Sequence, residues 1–325
     1  MAAMATLDFE KPIVELEQKV AALRVLVEAG HASARDLRRR EEELDRFRRK
    51  VIQRLNRWQK VQLARHMDRP HAVDYLQGML EEFVEIHGDR MGHEDAAVMG
   101  GLGRLDGIPV VVIGHEKGRT IQQRGQRRFG MPHPEGNRKA LRLMSLAERF
   151  GRPVLTLVDT PGAYPGVEAE ARGQAAAIAE NLMRLATLKT PSLSVIIGEG
   201  GSGGALALAL ADRVLMMEHA VYSVISPEGC AAILWRDEGK KAQAAEALRV
   251  TAQDALAMGL IQDIVPEPPG GAHRDEQGAI RALKEACHLH LKELLQMSLK
   301  DLLAQRYRRY RGMGVVEGEP GGEDG

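Results

Sequence analysis

Between positions 195 and 211 the chain reads VIIGEGGSGGALALALA, with glycine at 198, 200, 201, 203 and 204. Three chemistries fit so much bare backbone ahead of an apolar helix. Gly198, Gly200 and Gly203 match GxGxxG after a strand-like run, and Glu218 follows Gly198 by 20 positions, near where a ribose-binding acid belongs in a dinucleotide site. Against that reading, the helix expected over about 203–211 is short and apolar all round, whereas a crossover helix is amphipathic. Gly200-Gly201-Ser202-Gly203-Gly204 also satisfies GxSxG, the turn that presents a nucleophilic serine. That reading needs a histidine, and His219, His273, His288 and His290 are the candidates. A serine between glycines has a plainer use as the cap of the helix that starts there.

The third chemistry needs no side chain. Successive glycines at a helix start expose backbone N–H groups where the helix dipole favours negative charge. Such a turn holds a phosphate, or an oxyanion that develops at a carbonyl during reaction. Close packing of helix on strand explains one or two glycines, but not five in seven residues.

The elements that must carry this turn are legible as a pattern. Apolar runs at 108–113, 154–158 and in PSLSVIIG alternate with helical stretches such as 140–150 and ARGQAAAIAENLMRLATLK. Strands alternating with helices of ten or more residues imply β–α units and mostly parallel pairing. The strands are continuous apolar runs, as strands buried on both faces should be. In front lies a charged helical region. Ile13, Leu16, Val20, Leu23 and Val27 form one stripe, and Leu37, Leu44, Phe47, Val51, Leu55 and Trp58 a second. Two such helices predict an antiparallel hairpin. Its segment RDLRRREEELDRFRRK reads as a solvated face of ion pairs, because EEELD interrupts any basic patch for nucleic acid. After IVPEPPGGAHRD a further stretch, 279–310, has helical spacing, and EGEPGGEDG reads as a disordered tail.

Composition narrows the class. Of 325 residues, 44% are hydrophobic and 4% aromatic, and Lys plus Arg balances Asp plus Glu at 45 each, so net charge gives no support to a nucleic-acid partner. Cys230 and Cys287 form neither a disulfide framework nor a CxxC zinc pair. No apolar leader or membrane-length run occurs, and a reduced, cytoplasmic setting is expected.

Longer motifs carry a resemblance. DTPGAYPGVEAEARGQ (159–174), VIIGEGGSGGAL and YSVISPEGCAAILW (222–235) closely resemble the carboxyltransferase alpha-subunit family of bacterial acetyl-coenzyme A carboxylase. KGRTIQQRGQRRFGMPHPEGNRKALRLM, DYLQGMLEEFVEIHGDR, LDFEKPIVELE and IVPEPPGGAHR extend the resemblance over nearly the whole chain. Ala209, Leu210 and Ala211 depart from it, standing where the family often has further small residues and glycines. The resemblance implies an α/β crotonase-like (ClpP/crotonase) spiral fold with an N-terminal helical hairpin and C-terminal helices. The expected divisions are 1–73 (helical region), 74–268 (carboxyltransferase core), 269–314 (C-terminal helices) and 315–325 (tail).

The same resemblance implies a function. The chain would be one alpha subunit of an alpha2beta2 heterotetramer with a zinc-bearing beta subunit, working beside biotin carboxylase and a biotin carboxyl carrier protein. The carboxyl group of carboxybiotin, carried on that separate protein, would pass to acetyl-coenzyme A, giving malonyl-coenzyme A for fatty acid synthesis. By resemblance, the N–H groups of Gly203 and Gly204 form the oxyanion hole for biotin, the beta subunit supplies the hole for the thioester, and biotin is its own base. Gly200 and Gly201 would line the substrate site, and so would Gly162, Tyr164, Pro165 and Gly166 of PGAYPG, with Tyr164 against a flat ring. No metal is expected in this chain. Glu228 is either catalytic or a helix-start acid. The basic residues of KGRTIQQRGQRRFG either meet coenzyme A phosphates or form a mobile surface loop. A stand-alone crotonase-fold acyl-coenzyme A hydrolase or hydratase, active without a partner, and a non-enzymatic binding subunit are the competing classes.

Overall fold

The computed structural model describes residues 5–314. The tail expected at 315–325 lies outside them. One eight-stranded sheet organises the chain. Its strands are β1 (Glu81–Glu85), β2 (Val98–Leu105), β3 (Ile108–His115), β4 (Val154–Thr160), β5 (Ser192–Gly201), β6 (Arg213–Met217), β7 (Val221–Ser223) and β8 (Asp263–Val265). The spatial order is β1-β2-β3-β4-β5-β6-β8, with β7 paired to the far end of β5. From β3 onward every pairing is parallel, as the β–α alternation predicts. Every residue of β4 is buried, and β5 is buried up to Gly200, which explains their unbroken apolar runs.

The β1–β2–β3 edge is antiparallel and has no counterpart in the sequence reading. The β2–β3 turn is Asp106-Gly107, both at positive φ (46° and 79°), the chemistry a two-residue hairpin requires. Glycine-rich β2 (VMGGLGRL) and charged β1 (EEFVE) lack the β-branched composition by which strands are recognised.

Helices α1 (Lys11–Glu28) and α2 (Ala34–Gln53) form the expected hairpin. Ile13, Val20 and Leu44 are buried between them, with Leu16, Leu37, Phe47 and Val51 packed around. The second stripe does not run unbroken to Trp58. Asn56 accepts the Gln59 N–H while Gln59 reaches back, a capping box that starts α3 (Arg57–Ala64). Then come α4 (Ala72–Met79), α5 (Ile121–Gln126), α6 (Pro134–Arg149), α7 (Val167–Ala171), α8 (Gln174–Thr187), α9 (Ser202–Ala209), α10 (Pro227–Trp235), α11 (Lys241–Leu248) and α12 (Ala252–Ala257). The last pattern is split in two, α13 (Glu276–Leu295) and α14 (Leu299–Arg311), because Ser298 takes the Asp301 N–H and opens a new helix.

Buried ion pairs tie the periphery to the sheet. Arg306 of α14 grips Asp212 through Nε and Nη2, both at 2.7 Å, and donates Nη1 to the carbonyls of Leu185 and Leu188. Arg69 grips Glu267 at 2.7 and 2.9 Å. Burial alone pushes the Glu267 carboxyl up, but Arg69 together with His219 brings it down to about 2. Each pair is buried, so losing one partner is costly while the intact pair mainly fixes geometry. No helix among the described residues is long and apolar enough to cross a membrane.

Candidate active site

The glycine turn joins β5 to α9. Ser202 is the first helical residue and sits at φ 51°, with Gly201 extended before it. The helix is Ser202–Ala209, slightly earlier than 203–211. Ser202 is not its cap: Gly201 holds the cap position and has no side chain to accept a first-turn N–H. The N–H groups of Gly203 and Gly204 meet no acceptor outside the helix, and the first turn offers none within it.

The glycines have different neighbours, and these explain why they must be bare. A Cβ on Gly201 would lie 2.2 Å from the Pro161 carbonyl oxygen, and one on Gly204 would lie 2.5 Å from both the Ala163 nitrogen and the Gly162 carbonyl carbon. Both therefore press on the backbone that follows β4. Gly203 faces open space, its nearest neighbour being Ile178 Cδ1 at 3.9 Å. Close packing thus accounts for part of the cluster but not for Gly203. Gly204 brings the Ala163 N–H alongside the helix start, and that N–H also meets no acceptor.

Two grooves flank this turn. One, of about 630 Å³, is mainly apolar and includes Ser202, Gly203, Leu206, Tyr222, Val224 and Tyr310 in its wall. The other, of about 340 Å³, runs past Tyr164, Pro165 and Gly166 to Gln174 and Ile178. The loop at 160–166 is thus brought to the turn. Gly162 is buried, with its carbonyl taking the Thr160 hydroxyl at 2.7 Å. Tyr164 is half-buried; His133 stacks on its ring at 4.6 Å, and the Gly166 backbone fits against its Cε1 edge. One ring face is therefore already used. Gly200 lines neither groove; it packs behind Tyr222 and, with Gly201, lines a small cavity of about 30 Å³ beside Arg65 and Glu199.

Below the turn lies a charged cluster that sequence reasoning missed. Lys117, Asp159 and Glu199 stand at the ends of β3, β4 and β5, and Arg65 closes α3. Lys117 Nζ is 2.7 Å from both Asp159 Oδ1 and Glu199 Oε2. Arg65 donates to Glu199 and to Glu228, both at 2.6 Å. Burial pushes the Asp159 and Glu199 carboxyls up, yet Lys117, joined by His71 and the Glu199 N–H at Asp159 and by Arg65 at Glu199, holds both below the usual range. His115 beside them is pushed down to about 4 by burial and stands neutral. The available signal was a charged residue directly after each apolar run, in GHEKG, VDTPG and IIGEGG. Glu228 occupies the first turn of α10 as a helix-start acid and also pairs with Arg65.

The basic loop is tied down rather than free. Arg119 pairs with Asp74 and Glu276, Arg124 donates to the Gly118 and Met67 carbonyls, Arg127 to Ala96, and Arg128 to Asp95. Glu218, required by the dinucleotide reading, accepts the Glu267 N–H instead. Three histidines of the serine reading have side chains engaged elsewhere, His273 on Glu10, His288 near Asp106 and His290 on Arg213, while His219 is buried and gives its backbone N–H to Glu267.

Among the described residues, Glu10, His66 and His273 have donor atoms within 4.8 Å, close enough for a metal. Those atoms are committed to hydrogen bonds. His273 Nε2 lies 2.7 Å from Glu10 Oε1, His66 Nε2 lies 2.8 Å from the Ala5 carbonyl, and Arg274 sits 2.9 Å from the same Glu10 oxygen. A guanidinium in that position repels a second cation. The set is a clamp that fastens the N-terminal segment to residues 273–274.

The sequence family described as acetyl co-enzyme A carboxylase carboxyltransferase-like matches residues 6–314. The chain belongs to this family. An acetyl-coenzyme A carboxylase carboxyl transferase subunit alpha from Geobacter metallireducens is 53% identical over 96% of this chain and 98% of its own. One from Thermus thermophilus is 54% identical over 95% and 98%. Among solved structures, transcarboxylase 12S is similar in fold, with a TM-score of 0.53 and 20% identity over 66% of this chain and 41% of that one. The fold is the crotonase-like one expected for this carboxyltransferase family. Family members of this branch are named as one subunit of a larger enzyme.

The serine of GxSxG remains the strongest rival nucleophile, since Ser202 is exposed and strained at a strand–helix turn. Its hydroxyl makes no hydrogen bond to a base, however. Ser202→Ala removes no cap and no bond, so stability should change by no more than about 0.5 kcal/mol. Turnover should stay near wild type, and a thousandfold fall in a folded variant would restore the serine reading.

Proposed function

We propose that this chain is the alpha half of a carboxyltransferase that moves a carboxyl group from carboxybiotin, on a separate carrier protein, to acetyl-coenzyme A, giving malonyl-coenzyme A. The observation that carries the reading is the pair of acceptor-free N–H groups at Gly203 and Gly204, at the start of a helix and open to a groove at Gly203.

These donors suit a neutral carbonyl-type oxygen that gains charge during reaction, because the helix start favours the charged state over the neutral one. The biotin ureido group fits that description, and carboxybiotin, when bound, supplies the carboxyl group to be transferred. Gly203 and Gly204 would hold its ureido oxygen, and Ala163 N–H lies alongside as a further donor. Tyr164, Pro165 and Gly166 would wall the adjoining groove. These residues bind and orient; none is placed as a general base, since His133 is stacked on Tyr164 and neither Asp159 nor Glu199 is free of Lys117. The partners proposed are a zinc-bearing beta subunit in an alpha2beta2 assembly, a biotin carboxyl carrier protein and biotin carboxylase.

The test is reconstitution. The purified chain, the beta partner alone and their mixture are assayed for malonyl-coenzyme A formed from carboxybiotin and acetyl-coenzyme A. Activity is expected only in the mixture. Turnover by chain free of partner would instead support a stand-alone crotonase-fold enzyme.

A further inference from the structure

The β4–β5 ladder loses its even spacing just where it approaches the glycine turn. Val158 pairs with Ile196, but the next registered pair is Thr160 with Gly200, so β5 spends four residues where β4 spends two. Asp159 fills the irregularity. Its Oδ1 accepts the Glu199 N–H at 2.8 Å, and its carboxylate occupies the space beside Gly198, where a Cβ would come within 2.5 Å of that oxygen. A side chain thus replaces a missing ladder bond, as bulges next to sites often require.

This arrangement sets two buried carboxylates, Asp159 and Glu199, against each other. Uncompensated, they would repel across a low-dielectric interior. Lys117 bridges them with one ammonium at 2.7 Å from each. Its stem is fixed from above by Gly130, at φ 81°, whose added Cβ would touch Lys117 Cγ at 2.8 Å and the Asp159 carbonyl at 2.9 Å. Arg65 takes the other Glu199 oxygen at 2.6 Å. Beyond Glu199 the chain runs through Gly200 and Gly201 straight into the turn, and beyond Asp159 it runs through Thr160 into the loop that Gly201 and Gly204 press upon.

We propose that Lys117 is a positioning residue for the carboxyl-transfer reaction, the strut that sets the spacing between the Gly203–Gly204 donors and the 160–166 loop. It touches neither substrate nor reacting atoms. It acts through Asp159 and Glu199, and the proposal rests on Gly203 and Gly204 being the oxyanion donors. A displacement of donors by about 1 Å costs up to about 100-fold in rate, which is the scale at which a strut matters.

The test uses the chain reconstituted with its carboxyltransferase partner. Lys117→Met should lower kcat about 10- to 100-fold, with the KM for acetyl-coenzyme A within about twofold of wild type, because the strut acts on donors whose acceptor gains charge only in the transition state. Lys117→Arg, which keeps the charge, should recover part of the kcat. A purely structural lysine predicts less assembled enzyme with normal turnover per assembled unit, and that result would overturn the proposal. If Lys117→Met does not assemble, Lys117→Met with Glu199→Gln removes the repulsion and carries the test. A kcat at least about tenfold low supports the strut, and a wild-type kcat overturns it. Gly203→Pro in a Ser202→Gly background, compared with Ser202→Gly alone, separates the two assignments. Normal kcat there with a slow Lys117→Met rejects the donors, and the reverse pattern rejects the strut.

Discussion

Gly203→Pro is expected to lower the kcat of the assembled enzyme by about 10² to 10³ while leaving the subunit folded. Proline deletes one N–H and little else at this position. Gly203 is second in α9, so its N–H has no helical acceptor to lose, and proline is tolerated in a first turn. The space for its Cβ is open, with Ile178 Cδ1 the nearest atom at 3.9 Å. One complication comes from Ser202 at φ 51°, since the residue before proline is driven towards extended backbone. The comparison is therefore made with glycine at 202 in both partners, Ser202→Gly against Ser202→Gly with Gly203→Pro. The loss should fall on kcat more than on KM, because the donor meets an oxygen whose charge grows only as the reaction proceeds. Equal kcat in the two enzymes would remove Gly203 from the mechanism.

What the sequence made legible follows from how local the signal is. The parallel core announces itself because β4 and β5 are buried on both faces and so read as unbroken apolar runs. The glycine turn is legible because five bare residues in seven have few other uses. Strands β1 and β2 are not legible: the first is mostly charged and three of the eight residues of the second are glycine, and their pairing is set by the Asp106-Gly107 turn and by β3. The ion network under the turn is invisible for another reason. Lys117, Asp159, Glu199 and Arg65 are scattered over 134 positions, and only the parallel register brings them together. The resemblance pointed to Gly203 and Gly204 as equals, whereas the geometry divides them, one facing open space and one facing backbone.

That division changes what Gly204→Val should do. If Gly204 only faced an open site, the branched side chain would meet incoming substrate and the loss would fall on kcat. In the fold, its Cβ meets the Gly162 carbonyl carbon and the Ala163 nitrogen, both at 2.5 Å, before any substrate arrives. These are backbone atoms, so no rotamer change or trimmed neighbour relieves the contact. Overpacking of a filled interior costs about 1–3 kcal/mol, and a β-branched residue against backbone belongs at the upper end, about 3 kcal/mol. In a chain of this size that lowers the melting temperature by roughly 5 °C or more. The 160–164 segment must also move away from the helix start, carrying the Ala163 N–H with it. The enzyme that still assembles should therefore turn over slowly as well. Gly204→Val is thus expected to lose stability and kcat together, while Gly203→Pro loses kcat alone. Melting temperature and kcat measured on the same reconstituted variants distinguish the two patterns. A Gly204→Val enzyme that melts like wild type would mean that the loop and the turn are not held in contact.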